Sequence, residues 1–179
     1  MKLDRRTLLA ALPAAVLATS PAFAAGDETV FLDTKDGRIT IKLRPDLAPK
    51  HVAQIKALVK EGFYNGIVFH RVIPGFMAQT GDPKGTGEGG SKLPNLPAEF
   101  SGAPFKRGTL GMARTNDPDS ANSQFFICLD DASFLNGKYT VFGEVTSGME
   151  VVDKIKAGSK ANNGSVSNPD KIIKMSLGN

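Results

Sequence analysis

The chain has 179 residues, with 41% hydrophobic and 22% charged side chains, an ordinary balance for a soluble globular protein with one real core. Its formal net charge is +4. Lys2, Arg5 and Arg6 against Asp4 place half of that in the first 24 residues, so the rest is only mildly basic, with no basic run, which argues against nucleic-acid binding.

Residues 1–24 stand apart from the fold. A charged start with Arg5-Arg6 leads into an apolar stretch from Leu8 to Ala18 and then Ala22-Phe23-Ala24, an A-x-A-like cleavage site. The apolar stretch is shorter than the roughly 20 residues a membrane span needs. The expectation is a cleavable export signal, cut after Ala24, then a single domain over residues 25–179 in the periplasm without stable membrane association. Asp4-Arg5-Arg6-Thr7-Leu8-Leu9 also resembles a twin-arginine export motif, and the Sec and Tat routes both stay open. Cys128 is the sole cysteine, so an intramolecular disulfide is impossible, and its apolar neighbours make it a small strand hydrophobe.

Residues 29–32 and 38–43 read as strands joined through Asp36-Gly37, a type I′ hairpin signal. Ile39, Ile41 and Leu43 alternate with Arg38, Thr40 and Lys42, giving one buried and one wet face. From Ala48 to Glu61 the apolar residues recur at helical spacing, with Pro49 in the first turn and Gly62 past the end. His51 is expected on the solvated face of that helix.

The stretch Phe69-His70-Arg71-Val72-Ile73-Pro74-Gly75-Phe76-Met77-Ala78-Gln79-Thr80 reads as two short strands about a Pro-Gly turn. Alternation puts Phe69, Arg71 and Ile73 on one face, and Met77 and Gln79 on another. His70, between them, is expected on the opposite side from Arg71, as a structural residue. Gly85-Thr86-Gly87-Glu88-Gly89-Gly90 formally satisfies the dinucleotide-binding glycine pattern. Pro94 and Pro97 follow and no helical pattern opens, so a flexible surface loop is the expectation, not a phosphate site.

Residues 107–114 read as a strand in which small residues leave room for a close backbone approach. In Ser123 to Leu129, period 2 sends Phe125, Ile127 and Leu129 to the core and Gln124, Phe126 and Cys128 towards a cleft. Phe134 to Tyr139 is a turn with exposed-looking apolar groups, followed by a strand over residues 140–145. Ser147-Gly148-Met149-Glu150 reads as a capping box opening a short helix. A loop over 158–170 and a strand over 172–177 complete the chain. The count, about eight short strands with an early and a late helix, points to a mainly β fold: an antiparallel barrel whose open ends the helices cover.

Taken together, Phe69 to Gln79, Ser123-Gln124-Phe125-Phe126-Ile127 and Val141-Phe142-Gly143 resemble the cyclophilin family of peptidyl-prolyl cis-trans isomerases, and the likeness runs from about Thr29 to Leu177. It implies a closed eight-stranded antiparallel β-barrel capped by two α-helices. It implies catalysis of rotation about X-Pro bonds in peptides and unfolded or partly folded polypeptides, with no cofactor or metal; a monomer is the default expectation. By that resemblance Arg71 donates a hydrogen bond to the prolyl nitrogen, while Phe76, Met77, Phe126 and Leu135 wall the proline pocket. Gln79 positions Arg71, the main chain at Ala113 and Arg114 holds the peptide, Gln124 lines an adjoining subsite, and Phe134 and Tyr139 flank the pocket. Phe134 and Tyr139 stand where the best-known eukaryotic members carry tryptophan and histidine, and the segment after Ala113 is one residue longer; these features resemble bacterial exported members. The rival function is a module that binds proline-containing segments without turning them over. A metal hydrolase lacks ligands, with two histidines far apart and no cysteine pair.

Overall fold

The alternating patterns become strands in the computed structural model, which describes residues 28–178; the expected export segment lies outside the described residues. Strands β1 (Thr29–Thr34) and β2 (Gly37–Leu43) pair antiparallel, with Ile39, Ile41 and Leu43 fully buried and Arg38 and Lys42 exposed. The type I′ turn is not formed. Thr34 pairs with Gly37, so the turn residues are Lys35 and Asp36, and of the three only Gly37 has positive φ, at 137°. Thr34 Oγ1 accepts from the Asp36 N–H and donates to the Gly37 carbonyl, both at 3.2 Å, which sets the turn one residue earlier.

Helix α1 (Pro49–Lys60) buries Val52, Ile55, Leu58 and Val59, as its spacing predicts, and Gly62 past its end has φ 70°. His51 departs from expectation: it is fully buried, not solvated. The first N–H groups of a helix have no partner within it, and Ala48 at the N-cap offers no side-chain acceptor. Glu99 supplies one from a distant loop. Its carboxylate accepts from the Lys50 and His51 N–H groups at 3.1 Å each and lies 2.6 Å from His51 Nδ1.

The remaining strands are β3 (Arg71–Ile73), β4 (Met77–Thr80), β5 (Thr109–Met112), β6 (Phe125–Cys128), β7 (Val141–Ser147) and β8 (Lys174–Leu177). They join in the order β3-β4-β6-β5-β7-β2-β1-β8, every pairing antiparallel. The sheet curls almost round on itself, but it is not a closed barrel, because no ladder joins β3 to β8. Irregular chain crosses that gap. Ile172 N–H bonds to Ile67 O, Phe69 N–H to Asp170 O and Val72 N–H to Gly164 O, each at 2.8 Å. A segment turning at Asn163, Gly164 and Asn168 cannot run as a regular strand, yet it satisfies the edge that a β-strand leaves open.

The capping box before helix α2 (Met149–Val152) also fails to form. Ser147 is the last residue of β7, paired with Thr40, and Gly148 takes the N-cap with φ 92°. A Cβ there would lie 2.4 Å from the Arg38 carbonyl oxygen. One apolar cluster fills the inside of the curled sheet, including Phe69, Val72, Phe125, Ile127 and Phe142. A smaller one, with Met77, Phe105, Phe126, Cys128 and Leu135, lies on the other face and floors the site.

Candidate active site

The β3–β4 hairpin brings together the residues that the sequence placed on different faces. Arg71 pairs with Gln79, and Ile73 with Met77, so all four share one side of the sheet. Phe69 is not among them: β3 begins only at Arg71, and Phe69 turns into the main core with Val72. Cross-strand partners in an antiparallel pair face the same way, which is why the register overrides counting along one strand.

From this floor rises a pocket of about 140 Å³, walled by Phe76, Met77, Phe126, Leu135 and Tyr139, with Arg71 and Gln79 on one side and Ala113 and Arg114 on the other. Phe126 stacks on Phe105 at 5.8 Å and meets the Tyr139 ring edge-on at 5.9 Å. The small residue expected to admit a backbone admits these rings instead: a Cβ on Gly111 would lie 2.4 Å from Phe126 Cζ and 2.6 Å from Phe105 Cε1. Phe134 does not line the pocket. It lies on the rim, 59% exposed, 5.2 Å from the Phe76 ring. Arg114 stacks over Tyr139 at 4.4 Å and donates to the Thr115 and Lys138 carbonyls. Ala113 commits its N–H to the Gln124 carbonyl at 3.0 Å, so a peptide would meet its carbonyl, not its N–H.

Gln79, Ala113 and Arg114 also border a second, larger cleft of about 500 Å³, with Gln124, Asn122 and the Gly87 to Ser91 segment on its other walls. The glycine loop is therefore a wall of the site, and it is held in place. Buried Asp82 accepts the N–H groups of Lys84, Thr86 and Gly87 at 2.8, 2.9 and 2.6 Å. Burial pushes this carboxyl up, but those N–H groups, with that of Gly89, outweigh burial and hold it at about 2.

A chain of side-chain hydrogen bonds runs from that loop to the arginine. Gln124 Nε2 donates to the Gly87 and Gly89 carbonyls at 2.9 and 2.8 Å, and Gln79 Nε2 donates to Gln124 Oε1 at 2.9 Å. Arg71 Nη1 then donates to Gln79 Oε1 at 3.2 Å. The sequence reading missed one member of this network. Asn163 receives Arg71 Nε on its carbonyl at 2.9 Å and Nη2 on its Oδ1 at 2.8 Å. Its only signal was an Asn-Gly pair in a loop.

Burial draws the Arg71 guanidinium down from its ordinary value, with Tyr139 opposing, but an arginine starts so high that it stays charged. His70 lies outside the proline pocket, buried beside Gly87, and neither ring nitrogen has a hydrogen-bond partner among the described residues. Burial lowers its pKa, as does Arg71, against the pull of Asp82.

The model of the cyclophilin type peptidyl-prolyl cis-trans isomerase/CLD family matches residues 29–177. A probable peptidyl-prolyl cis-trans isomerase of Brucella suis biovar 1 (strain 1330) is 64% identical over 162 residues, covering 84% of this chain and 83% of that one. Among solved structures, a Cryptosporidium parvum cyclophilin type isomerase in the presence of the dipeptide Ala-Pro superposes with a TM-score of 0.77 at 29% identity, covering 84% of this chain and 99% of that one. The cyclophilin AquaCyp293 from Hirschia baltica gives 0.76 at 29% identity, covering 85% and 74%. A curled antiparallel sheet carrying an arginine beside a small apolar pocket, and a family match spanning nearly every described residue, lead to one conclusion: the chain belongs to the cyclophilin-type peptidyl-prolyl cis-trans isomerases.

Proposed function

We propose that Arg71 carries the isomerisation, by donating a hydrogen bond to the prolyl nitrogen while the proline ring sits in the apolar pocket. Rotation about an X-Pro bond is held back by about 18–20 kcal/mol of amide resonance. In the twisted amide the nitrogen becomes pyramidal and localises the lone pair that the planar ground state delocalises into the carbonyl. A donor aimed at that lone pair binds the transition state better than the substrate, and only such differential binding accelerates the step. The low polarity of Met77, Phe126 and Leu135 strengthens the guanidinium's field there. No nucleophile or general base is required.

The observation that carries this reading is the place of Arg71, a half-buried cation at the wall of a pocket that Phe76, Met77, Phe126 and Leu135 also line. The Ala-Pro dipeptide named with the Cryptosporidium relative supports proline-containing peptides as the substrate class. Residues 1–24 support a further reading, that the clients are proteins folding in the periplasm after export. N-terminal sequencing of protein recovered from that compartment should begin at Ala25, and a retained Met1 would overturn it.

The test is cis-to-trans isomerisation of a short X-Pro peptide by the wild type and by Arg71→Ala. A hydrogen bond to a charged group is worth about 1.5–3 kcal/mol, so the variant should lose roughly 10- to 100-fold in kcat/KM while its circular dichroism is unchanged. Folded wild-type protein that bound the peptide without accelerating it would instead support the binding module.

A further inference from the structure

Arg71 presents five N–H groups in one plane, and the structure engages three of them. Asn163 takes two through its own carbonyl and Oδ1, at 2.9 and 2.8 Å, and Gln79 takes one at 3.2 Å. One N–H on each terminal nitrogen is left without an acceptor among the described residues. Two acceptors on one residue define the plane of the guanidinium, which a single contact cannot do. Asn163 itself lines a neighbouring cleft with His70 and Ser165, not the proline pocket, so anything it does for the reaction passes through Arg71.

The turn that presents Asn163 is fastened to the strand that carries Arg71. Val72 N–H donates to the Gly164 carbonyl at 2.8 Å, and Gly158 N–H donates to the Val72 carbonyl at 2.9 Å. Gly164 packs so closely on β3 that a Cβ would lie 2.4 Å from Ile73 Cγ1. Asn163 therefore keeps its distance from Arg71 by main-chain bonds, while its side chain stays on the exposed surface. Its backbone is left-handed, φ 52°, a conformation that suits asparagine and suits glycine better. Backbone shape thus explains Asn or Gly at this position. The Oδ1 contact explains Asn alone.

We propose that Asn163 is a positioning residue for the isomerisation, holding the Arg71 guanidinium in the plane that directs its unengaged N–H groups into the proline pocket. This rests on Arg71 acting at the prolyl nitrogen. Losing the contact leaves the cation in place but free to turn, so it lowers kcat more than peptide affinity.

The test compares Asn163→Gly, which keeps the left-handed turn and the carbonyl but lacks Oδ1, with Asn163→Asp, which keeps an acceptor at that position. Nuclear magnetic resonance exchange on an X-Pro peptide separates kcat from binding, and the Arg71 side-chain nitrogens report rotation about the Nε–Cζ bond. For Asn163→Gly the expected result is a fall in kcat of about 5- to 10-fold, with affinity and thermal midpoint kept and Arg71 rotating faster. Asn163→Asp should hold Arg71 as the wild type does. Full kcat in Asn163→Gly, or an equal loss of kcat and affinity, overturns the proposal. Arg71→Ala in the same assay distinguishes the two readings: an active Arg71→Ala removes the role of Arg71 itself, whereas an inactive Arg71→Ala beside a fully active Asn163→Gly removes only that of Asn163.

Discussion

Phe126 occupies the space that a side chain on Gly111 would need. The two residues are cross-strand partners on β6 and β5, and a Cβ on Gly111 would lie 2.4 Å from the Phe126 ring. A ring cannot bend away as a flexible chain end can, so Gly111→Ala must push Phe126 towards the proline pocket or force the strands apart. Overpacking of this kind costs about 1–3 kcal/mol. Urea denaturation should show a loss in that range, and kcat/KM should fall by about 10-fold or more as the pocket narrows. An alanine variant of wild-type stability and rate would show that the ring has room to move.

Asp82 should make the protein sensitive to acid. Its carboxyl is held at about 2 in the fold against an ordinary 3.8. A carboxylate with a depressed folded pKa stabilises fully above its unfolded value, and that stabilisation is lost as pH falls through the folded one. The window is therefore pH 4 down to 2, and the amount at stake is about 2 kcal/mol. Asp82→Asn, whose amide would oppose the loop's N–H groups, should be less stable at pH 7 by a similar amount and lose stability less steeply between pH 4 and 2. Thermal midpoints of both proteins across pH 2–7 give the answer.

The Glu99 cap on helix α1 predicts a change in stability without one in catalysis. Burial raises the Glu99 carboxyl, but hydrogen bonds from the His51 ring and from the His51 and Lys50 N–H groups bring it below its usual value. Its contribution is present above the ordinary carboxylate range and lost as pH falls through the depressed value. Glu99→Ala leaves the helix N-terminus and a fully buried His51 without their acceptor. Loss of a cap costs about 0.5–2 kcal/mol, and chemical denaturation should show it, with isomerase kcat/KM within twofold of the wild type at 15 °C.

What the sequence made legible depended on how far apart the partners lie along the chain. The burial pattern of β2 and the extent of α1 follow from local periodicity, and the outward turn of Phe126 from period 2 in β6. Arg71 and Gln79, 8 residues apart, fall on different faces when counted along the chain; the family resemblance linked them, and the hairpin register pairs them. The Glu99 contact to His51 spans 48 residues and the Asn163 contact to Arg71 spans 92, and nothing in either segment announces the other. Ser147 shows the opposite failure, a sound local signal overridden when β7 ran on to pair with β2. The site chemistry was legible through the family resemblance of the segments that carry Arg71, Gln79 and Phe126. The parts that hold it still were not, because tertiary contacts supply them.

The amide orientations between the glycine loop and Arg71 are fixed from both ends, which makes Gln79→Glu an informative change. The Gly87 and Gly89 carbonyls can only accept, so Gln124 must turn its Nε2 to them and its Oε1 to Gln79. Arg71 can only donate, so Gln79 must offer Oε1 there and Nε2 to Gln124. An ionised glutamate at position 79 would accept from Arg71 but face Gln124 Oε1 with no proton to give. Turning Gln124 over would sacrifice its two bonds to the loop. At pH 7 the variant should therefore lose about 10-fold in kcat/KM, despite a stronger ion pair with Arg71. A protonated glutamate restores the pattern, its O–H donating to Gln124 and its C=O accepting from Arg71. The Gln79→Glu rate should thus rise towards the wild type as pH falls to about 4 and below, while the wild-type rate, which needs no titrating group, stays flat over the part of that range where it remains folded. Peptide exchange measured by nuclear magnetic resonance from about pH 7 to about pH 3 follows both. A variant rate that did not respond to pH would mean that Gln124 reorients freely and that the network does not hold the arginine.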